Sequence, residues 1–294
     1  MKMKIGFIGA GKVGCSLGKY FEQKGLDCTG YYDIDPMSAQ EASDFTETAC
    51  YEDMDRLVKD SDALFLTVPD GLIHLVWRQI RDLPIEGKLI CHCSGALSAG
   101  DAFTGIEDRG AFGYSIHPLF AVSDRFHSYK ELTHAYFTIE GAEDRLDTVR
   151  TFLENLGNPV ISIGAEDKVR YHCAAAIASN HVVGLVQESL DLLGQCGFAP
   201  EDALAALRPI LLGNMQHIVD SGTKDSLTGP VERADTGTVR KHLACLNEDQ
   251  RQLYILLSEI LTQIGKRKNP SRNYEEMEDL LKRNRESRET GGSR

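Results

Sequence analysis

Six residues near the amino terminus, Gly9-Ala10-Gly11-Lys12-Val13-Gly14, have the spacing G-x-G-x-x-G. They follow a short apolar run, Lys4 to Ile8, and open an amphipathic stretch, Gly11 to Lys24, so the motif falls between a strand and a helix. In that context Gly9 permits the tight turn, Gly11 lets a pyrophosphate approach the backbone, and Gly14 lets the helix pack closely on the sheet. The helix N-terminus faces the phosphate charge with its own partial positive charge. Nineteen residues past Gly14, Asp33 ends a second apolar run, Asp27 to Tyr32. A carboxylate there accepts hydrogen bonds from ribose hydroxyls and repels a 2′-phosphate, and Ile34-Asp35-Pro36 supplies no arginine to offset the repulsion. The pattern implies a bound dinucleotide, NAD rather than NADP. The competing reading is a glycine-rich turn without a ligand, with Asp33 only beginning the Asp-Ile-Asp-Pro turn.

Further along lie residue types that suit acid–base work. Ser94-Gly95 follows the apolar run Lys88 to Cys93, where small residues let a substrate approach a cofactor closely. His117-Pro118 ends another run, either as an acid/base or as part of a rigid turn. Lys168 and His172 are spaced i, i+4 and share one helix face, with Ser179 further along it and Asn180 interrupting an apolar stripe of Ile177, Val183 and Gly184. An ammonium, an imidazole and an amide grouped this way can stabilise and protonate a heteroatom beside a carbon that receives hydride. Taken alone, the same residues also read as a surface lysine, a packed histidine and a buried amide. Thr228-Gly229-Pro230, with Arg233, Asp235, Thr238 and His242, is either a hydrogen-bonded corner or a pocket wall. Cys91-His92-Cys93 resembles a metal cluster, but on a strand His92 points away from its neighbours, so no metal site is expected.

Composition narrows the classes. The chain has 294 residues, 42% hydrophobic and 26% charged, which is globular and long enough for two cores. A net charge of −12 argues against a nucleic-acid partner, which would require a basic surface. No apolar stretch approaches the ~18 residues of a membrane helix. Eight scattered cysteines without a C-x-x-C pair suit reduced thiols in the cytoplasm, and Met1 to Gly11 only faintly imitates a signal peptide.

These residues need elements to position them. Strands are expected at Lys4–Ile8, Asp27–Tyr32, Ala63–Val68, Lys88–Cys93, Gly113–Ile116, Ala135–Glu140 and Pro159–Ile163. Helical patterns fall at Gly11–Lys24, Met37–Ala42, Met54–Lys59, Leu72–Ile80 and Glu143–Leu156, which implies βαβ units and a mostly parallel, doubly wound sheet. After Gly164 only helices follow. One long helix is expected over Asp167–Cys196, about 45 Å at 1.5 Å per residue. Another runs from Pro200 to Ile218 with a kink at Pro209, then Thr236–Leu246, then a helix opened by an Asn247/Gln250 capping box through Ile264. The expected domains are 1–164, 165–265 and a charged tail, 266–294, with a helix from Tyr274 to Arg285 and a disordered run from Glu289 to Arg294.

Several segments together resemble one group of proteins. They are the Gly9–Gly14 loop, Val68-Pro69-Asp70, His92 through Ser98, Ile116-His117-Pro118-Leu119, Lys168 with Tyr171-His172, Asn180, and Leu227 through Leu243. The chain resembles Rossmann-like oxidoreductases with a helical C-terminal domain like that of 6-phosphogluconate dehydrogenase, in a branch where that domain has no assigned function. More distant relatives are β-hydroxyacid dehydrogenases, ketopantoate reductase and pyrroline-5-carboxylate reductase. The resemblance spans nearly everything to about residue 260. It implies Lys168, His172 and Asn180 as catalytic residues, Ser94, Gly95 and His117 on the substrate, and Gly9 through Gly14, Asp33, Val68 and Pro69 on the cofactor. Many such sequences carry a phosphate-friendly Ser-Arg-Ser type segment after the second strand, and Asp33 departs from it. The implied protein is a cytoplasmic NAD-dependent oxidoreductase acting on a small carbonyl, hydroxyacid or imine in an interdomain cleft. A homodimer through the helical domain is expected. The alternative is a dinucleotide-binding redox sensor or regulatory protein without turnover.

Overall fold

Runs of branched and aromatic residues form the strands, and apolar residues spaced by three and four form the helices between them. The computed structural model describes residues 3–291. Its first half reads β1 (Lys4–Ile8), α1 (Lys12–Gln23), β2 (Asp27–Tyr32), α2 (Pro36–Thr46), β3 (Ala49–Cys50), α3 (Met54–Asp60), β4 (Ala63–Leu66) and α4 (Asp70–Ile80). It continues with β5 (Leu89–His92), α5 (Ala99–Ala102), β6 (Phe112–Leu119), β7 (Tyr136–Gly141), α6 (Leu146–Glu154) and β8 (Val160–Ser162). Helices follow: α7 (Lys168–Ala178), α8 (Asn180–Gln195), α9 (Pro200–Ser226), α10 (Thr236–Cys245), α11 (Glu248–Lys268) and α12 (Glu275–Gly291).

The strands make one sheet in the order β3-β2-β1-β4-β5-β6-β7-β8. Every pair is parallel except β6 with β7. Alternation sends Phe7, Phe65, Cys91 and Tyr114 to one face, against Leu17 and Phe21 of α1 and Val149 and Leu153 of α6. Ile8, Leu64, Leu66 and Ile90 go to the other face, against Ile73, Trp77 and Ile80 of α4. Burying each such large side chain contributes about 1.5–3 kcal/mol. His92 shares this second face, its ring 5.4 Å from that of Phe103, so it points away from Cys91 and Cys93.

The chain divides into two compact units after Val182. Helix α7 therefore folds with the sheet, anchored by the buried side chain of Lys168. The single long helix expected over Asp167–Cys196 is interrupted at Ser179, where φ is −120 and ψ −73. The cause is local: the Ser179 hydroxyl donates back to the Ala175 carbonyl at 2.7 Å, which bends helices. In the second unit Pro209 sits inside α9, and the backbone leaves helical geometry at Gly222 instead (φ 75, ψ 168). A small core of Val231, Val239, Leu243, Ile255, Met277 and Leu281 joins α10, α11 and α12, and Asn247 and Gln250 form the capping box. Helix α12 continues through Gly291; the last residues of the run expected to be disordered, 292–294, lie outside the described residues.

Candidate active site

The sheet register sets the geometry. Tyr32, Ile8, Leu66, His92, Ser115 and Glu140 pair successively across six strands. The residues that follow Tyr32, Ile8, Leu66, His92 and Ser115 therefore emerge together at the carboxyl edge. Gly9 to Gly14, Asp33, Val68, Pro69, Ser94, Gly95 and His117 are brought to that edge.

At β1 the loop is tight. The Gly9 amide donates to the Tyr32 carbonyl (2.8 Å), and the Thr67 hydroxyl donates to the Gly9 carbonyl (2.7 Å). Gly9 has φ +107 and a Cβ there would lie 2.8 Å from the Thr67 carbonyl carbon. A Cβ at Gly14 would lie 2.3 Å from the Gly9 carbonyl oxygen, so α1 presses directly on the turn. At Gly11 the same atom meets nothing within 4 Å. The loop and the first turn of α1, with Lys12 exposed, thus front an open cradle of the kind a pyrophosphate fills. Ala10 and Val13 turn inward. Asp33 accepts from the Ala10 amide at 2.7 Å and from the Asp35 amide at 2.9 Å. A carboxylate offers about four acceptor sites, so these two bonds leave capacity for ribose hydroxyls. An arginine does reach this corner from far along the chain: Arg125 pairs with Glu41 and the Ser38 carbonyl on α2.

Between β5 and β7 the second face carries a polar patch where a core would be apolar. Alternation aims His92, Ser115 with His117, and Thr138 with Glu140 at that face. Lys168, the one buried residue of α7, covers it at 1% exposure. Its Nζ donates to the Ser94 carbonyl (2.9 Å) and to the Ser115 hydroxyl. Burial pushes Lys168 down to about 8, against Glu140, Cys93 and Asp70, which hold it up. Burial raises the Glu140 carboxyl, which accepts from the Ala99 amide at 2.8 Å. His92 is pushed down to about 3 by burial and Lys168, against a bond to the Ser98 backbone, which holds it up; its Nδ1 accepts the Ser94 amide.

The Ser94 hydroxyl is committed to the turn. It donates to Asp70 at 2.6 Å and accepts the Ala96 and Leu97 amides. Gly95 serves close packing: a Cβ there would lie 2.6 Å from the His172 ring and 2.9 Å from His117 Nε2. His117 Nδ1 lies 2.7 Å from the Tyr171 hydroxyl, and the His117 and His172 rings are 6.3 Å apart. Burial, Lys168 and His172 push His117 down to about 4, so it is neutral at pH 7. His117, Tyr171, His172, Ser179 and Asn180 line a cavity of about 570 Å³, walled otherwise by Leu119, Phe120 and alanines of α7. Lys168 is not among its lining residues. Sequence reasoning gave no role to Ser115 and Glu140, nor to Asp70 and Tyr171, which lie in segments that carry the resemblance. Ser115 and Glu140 were detectable as polar residues at core-facing positions of central strands; Tyr171 sits one residue before His172.

Residues 1–118 match the Rossmann-like domain family, and residues 135–260 match DUF2520, a domain of unknown function. No curated protein matches the sequence. Among solved structures, protein TM1727 from Thermotoga maritima is 25% identical, with a TM-score of 0.71 over 90% of this chain and 99% of that one. A reductive aminase from Aspergillus terreus, in complex with NADPH and ethyl-5-oxohexanoate, is 14% identical, with a TM-score of 0.62 over 97% and 98% of this chain and that one. An imine reductase from Pseudomonas sp. is 16% identical, with a TM-score of 0.59 over 99% of this chain and 95% of that one.

Proposed function

Because this chain joins a Rossmann-like domain to a DUF2520 domain, we propose that it is a nicotinamide-dinucleotide-dependent oxidoreductase acting on a small carbonyl, hydroxyacid or imine. The observation that carries the reading is one sheet edge holding both parts: an open cradle over Gly11 and, three strands away, a cavity lined by His117, Tyr171, His172 and Asn180. Three strand spacings are about 14 Å, the lateral span a nicotinamide half would bridge. The amides of Gly9 to Gly14 and the α1 N-terminus would hold the pyrophosphate, Asp33 a ribose, and Val68 and Pro69 the edge between them. When bound, the nicotinamide supplies or takes a hydride. The Ser94–Gly95 turn, tied down by Asp70 and Lys168, supports the substrate side, and the polar cavity handles the proton. The imine reductase among the fold neighbours supports the imine in this class.

Asp33 supports NAD over NADP, since a 2′-phosphate would meet its carboxylate, and Arg125 is already spent on Glu41 and Ser38. The test is a fluorescence titration with NADH and NADPH, followed by absorbance at the nicotinamide band with cyclic imines, 2-oxo acids and hydroxyacids. Failure to bind either dinucleotide would end the proposal.

The second unit supports pairing with a second copy. From Ala203 to Val219 the only charged residue is Arg208, and Leu204, Ile210, Leu212 and Val219 are 52–79% exposed. A helix apolar on this scale is normally covered. No helix among the described residues is long and apolar enough to cross a membrane, and twofold dimers are the commonest soluble oligomers.

A further inference from the structure

A carbon that receives hydride leaves its heteroatom needing a proton, and five side chains stand close enough to be considered; of these His117 has Nδ1 bonded to Tyr171 and Nε2 packed over Gly95. Lys168 has the right chemistry but the wrong place. It is 1% exposed, is absent from the cavity lining, and has two of its three N–H bonds directed at Ser94 and Ser115. The Ser94 hydroxyl already donates to Asp70. His172 lines the cavity, yet its ring is packed over Gly95. Tyr171 lines the cavity and has its hydroxyl oxygen 2.7 Å from His117 Nδ1, on a helix whose Lys168 sits one turn earlier.

We propose that Tyr171 is the catalytic residue that exchanges the proton with the substrate heteroatom, with His117 and Lys168 as positioning residues. The inference rests on the oxidoreductase reading above and deepens it.

A neutral imidazole carries one N–H, so the bond between His117 and Tyr171 can run in only one of two senses. If His117 donates from Nδ1 to the phenol oxygen, and the Thr138 hydroxyl beside it donates as well, the Tyr171 O–H is left to point into the cavity. In the reducing direction the C=X carbon takes the hydride with its electron pair, and the π pair moves onto X. The heteroatom then takes the proton from the Tyr171 oxygen as the O–H bond breaks. The phenolate left behind accepts the His117 Nδ1–H and regains a proton from water. The substrate is reduced by two electrons and the dinucleotide oxidised by two. In the other direction the phenolate takes the proton from the X–H group as the hydride leaves. Burial raises the Tyr171 phenol, so it is protonated and able to donate at neutral pH.

The sense of that bond is measurable without a substrate. In ¹⁵N-labelled protein at pH 7, long-range ¹H–¹⁵N correlations assigned with His117→Asn should show His117 as the Nδ1–H tautomer. An Nε2–H tautomer would mean that the Tyr171 proton is spent on His117, and would overturn the assignment. With any imine or 2-oxo acid that turns over, Tyr171→Phe should lower kcat by about 10²-fold or more, the scale of a lost general acid, and leave NADH affinity unchanged. Lys168→Met should cost less. Tyr171→Phe within threefold of wild type, or Lys168→Met the more damaging of the two, would overturn it equally. A panel in which nothing turns over counts against the oxidoreductase reading, while the tautomer result still decides for or against Tyr171.

Discussion

Two glycines of one motif should respond to a side chain in opposite ways. At Gly14 an added Cβ would lie 2.3 Å from the Gly9 carbonyl oxygen and 2.4 Å from the Thr67 hydroxyl. Relief requires roughly 1 Å of movement, which breaks the Thr67–Gly9 hydrogen bond and strains the turn. Overpacking of ~1–3 kcal/mol plus a lost bond of ~1 kcal/mol gives about 2–4 kcal/mol for Gly14→Ala, a Tm lower by about 5–15 °C. At Gly11 the backbone is extended (φ −72, ψ −164) and the Cβ meets nothing within 4 Å. Gly11→Val should therefore cost only the weaker helix cap, under about 1 kcal/mol. It should instead abolish NADH binding, because its methyl groups occupy the cradle. The chain has one tryptophan, Trp77, buried in the sheet's core, so its emission follows the unfolding of the first unit. NADH at 100 times its Kd should stabilise the wild type by about 2.7 kcal/mol, and Gly11→Val should lose that shift. A Gly11→Val protein with the full NADH shift, or a Gly14→Ala protein as stable as wild type, would refute the reasoning.

Three further outcomes are expected. Asp33→Ser with Ile34→Arg removes the repulsion and adds a phosphate donor, so the NADH preference over NADPH, on the order of 10²-fold, should narrow or reverse; equal wild-type affinities would show that Asp33 does not meet the ribose. Lys168 gives up its proton at about 8 in the folded chain and near 10.5 when unfolded. The unfolded state therefore binds more protons between those values and stability rises with pH there. Relative to Lys168→Met, wild-type stability by denaturant titration should climb about 3 kcal/mol across that window, with Glu140, Cys93, Asp70, His92 and His117 around it; a flat difference would show that Lys168 is not buried as a cation. Ile210→Glu with Leu212→Glu should convert a dimer to monomers in light scattering, and a wild type already monomeric at micromolar concentration would remove the second copy.

The Rossmann sheet was legible because its signals are local: strand, glycine turn and helix succeed one another within twenty residues. The edge positions of Gly9, Asp33 and Ser94 followed from strand ends alone, whereas His117, expected to end its strand, lies inside β6 and pairs with Thr138. What the sequence hid is side-chain direction across long separations. Lys168 shares a helix face with His172, yet its side chain runs under the Ser94 turn while His172 lies over it. Ser94 reads from the sequence as available for substrate, yet its hydroxyl is committed to Asp70, Ala96 and Leu97. Arg125 reaches α2 across some eighty-five residues, a distance no local pattern encodes. The break at Ser179 was missed because serine is neutral in helix propensity, and the back-bond to Ala175 decides the bend.

The reversal between β6 and β7 has an evolutionary consequence. Carboxyl ends of β1, β2, β4, β5 and β6 carry the candidate site, while the turns before β5 and β6 and after β7 gather at the opposite edge. There Gly87 bonds the Gly110 carbonyl, and Arg145 caps Gly87. Insertions in those turns would lengthen the protein without moving a residue of the cradle or the cavity. Descendants of this chain are thus free to acquire new surfaces at that edge, and a fused domain or reporter placed there should leave the chemistry at the other edge untouched.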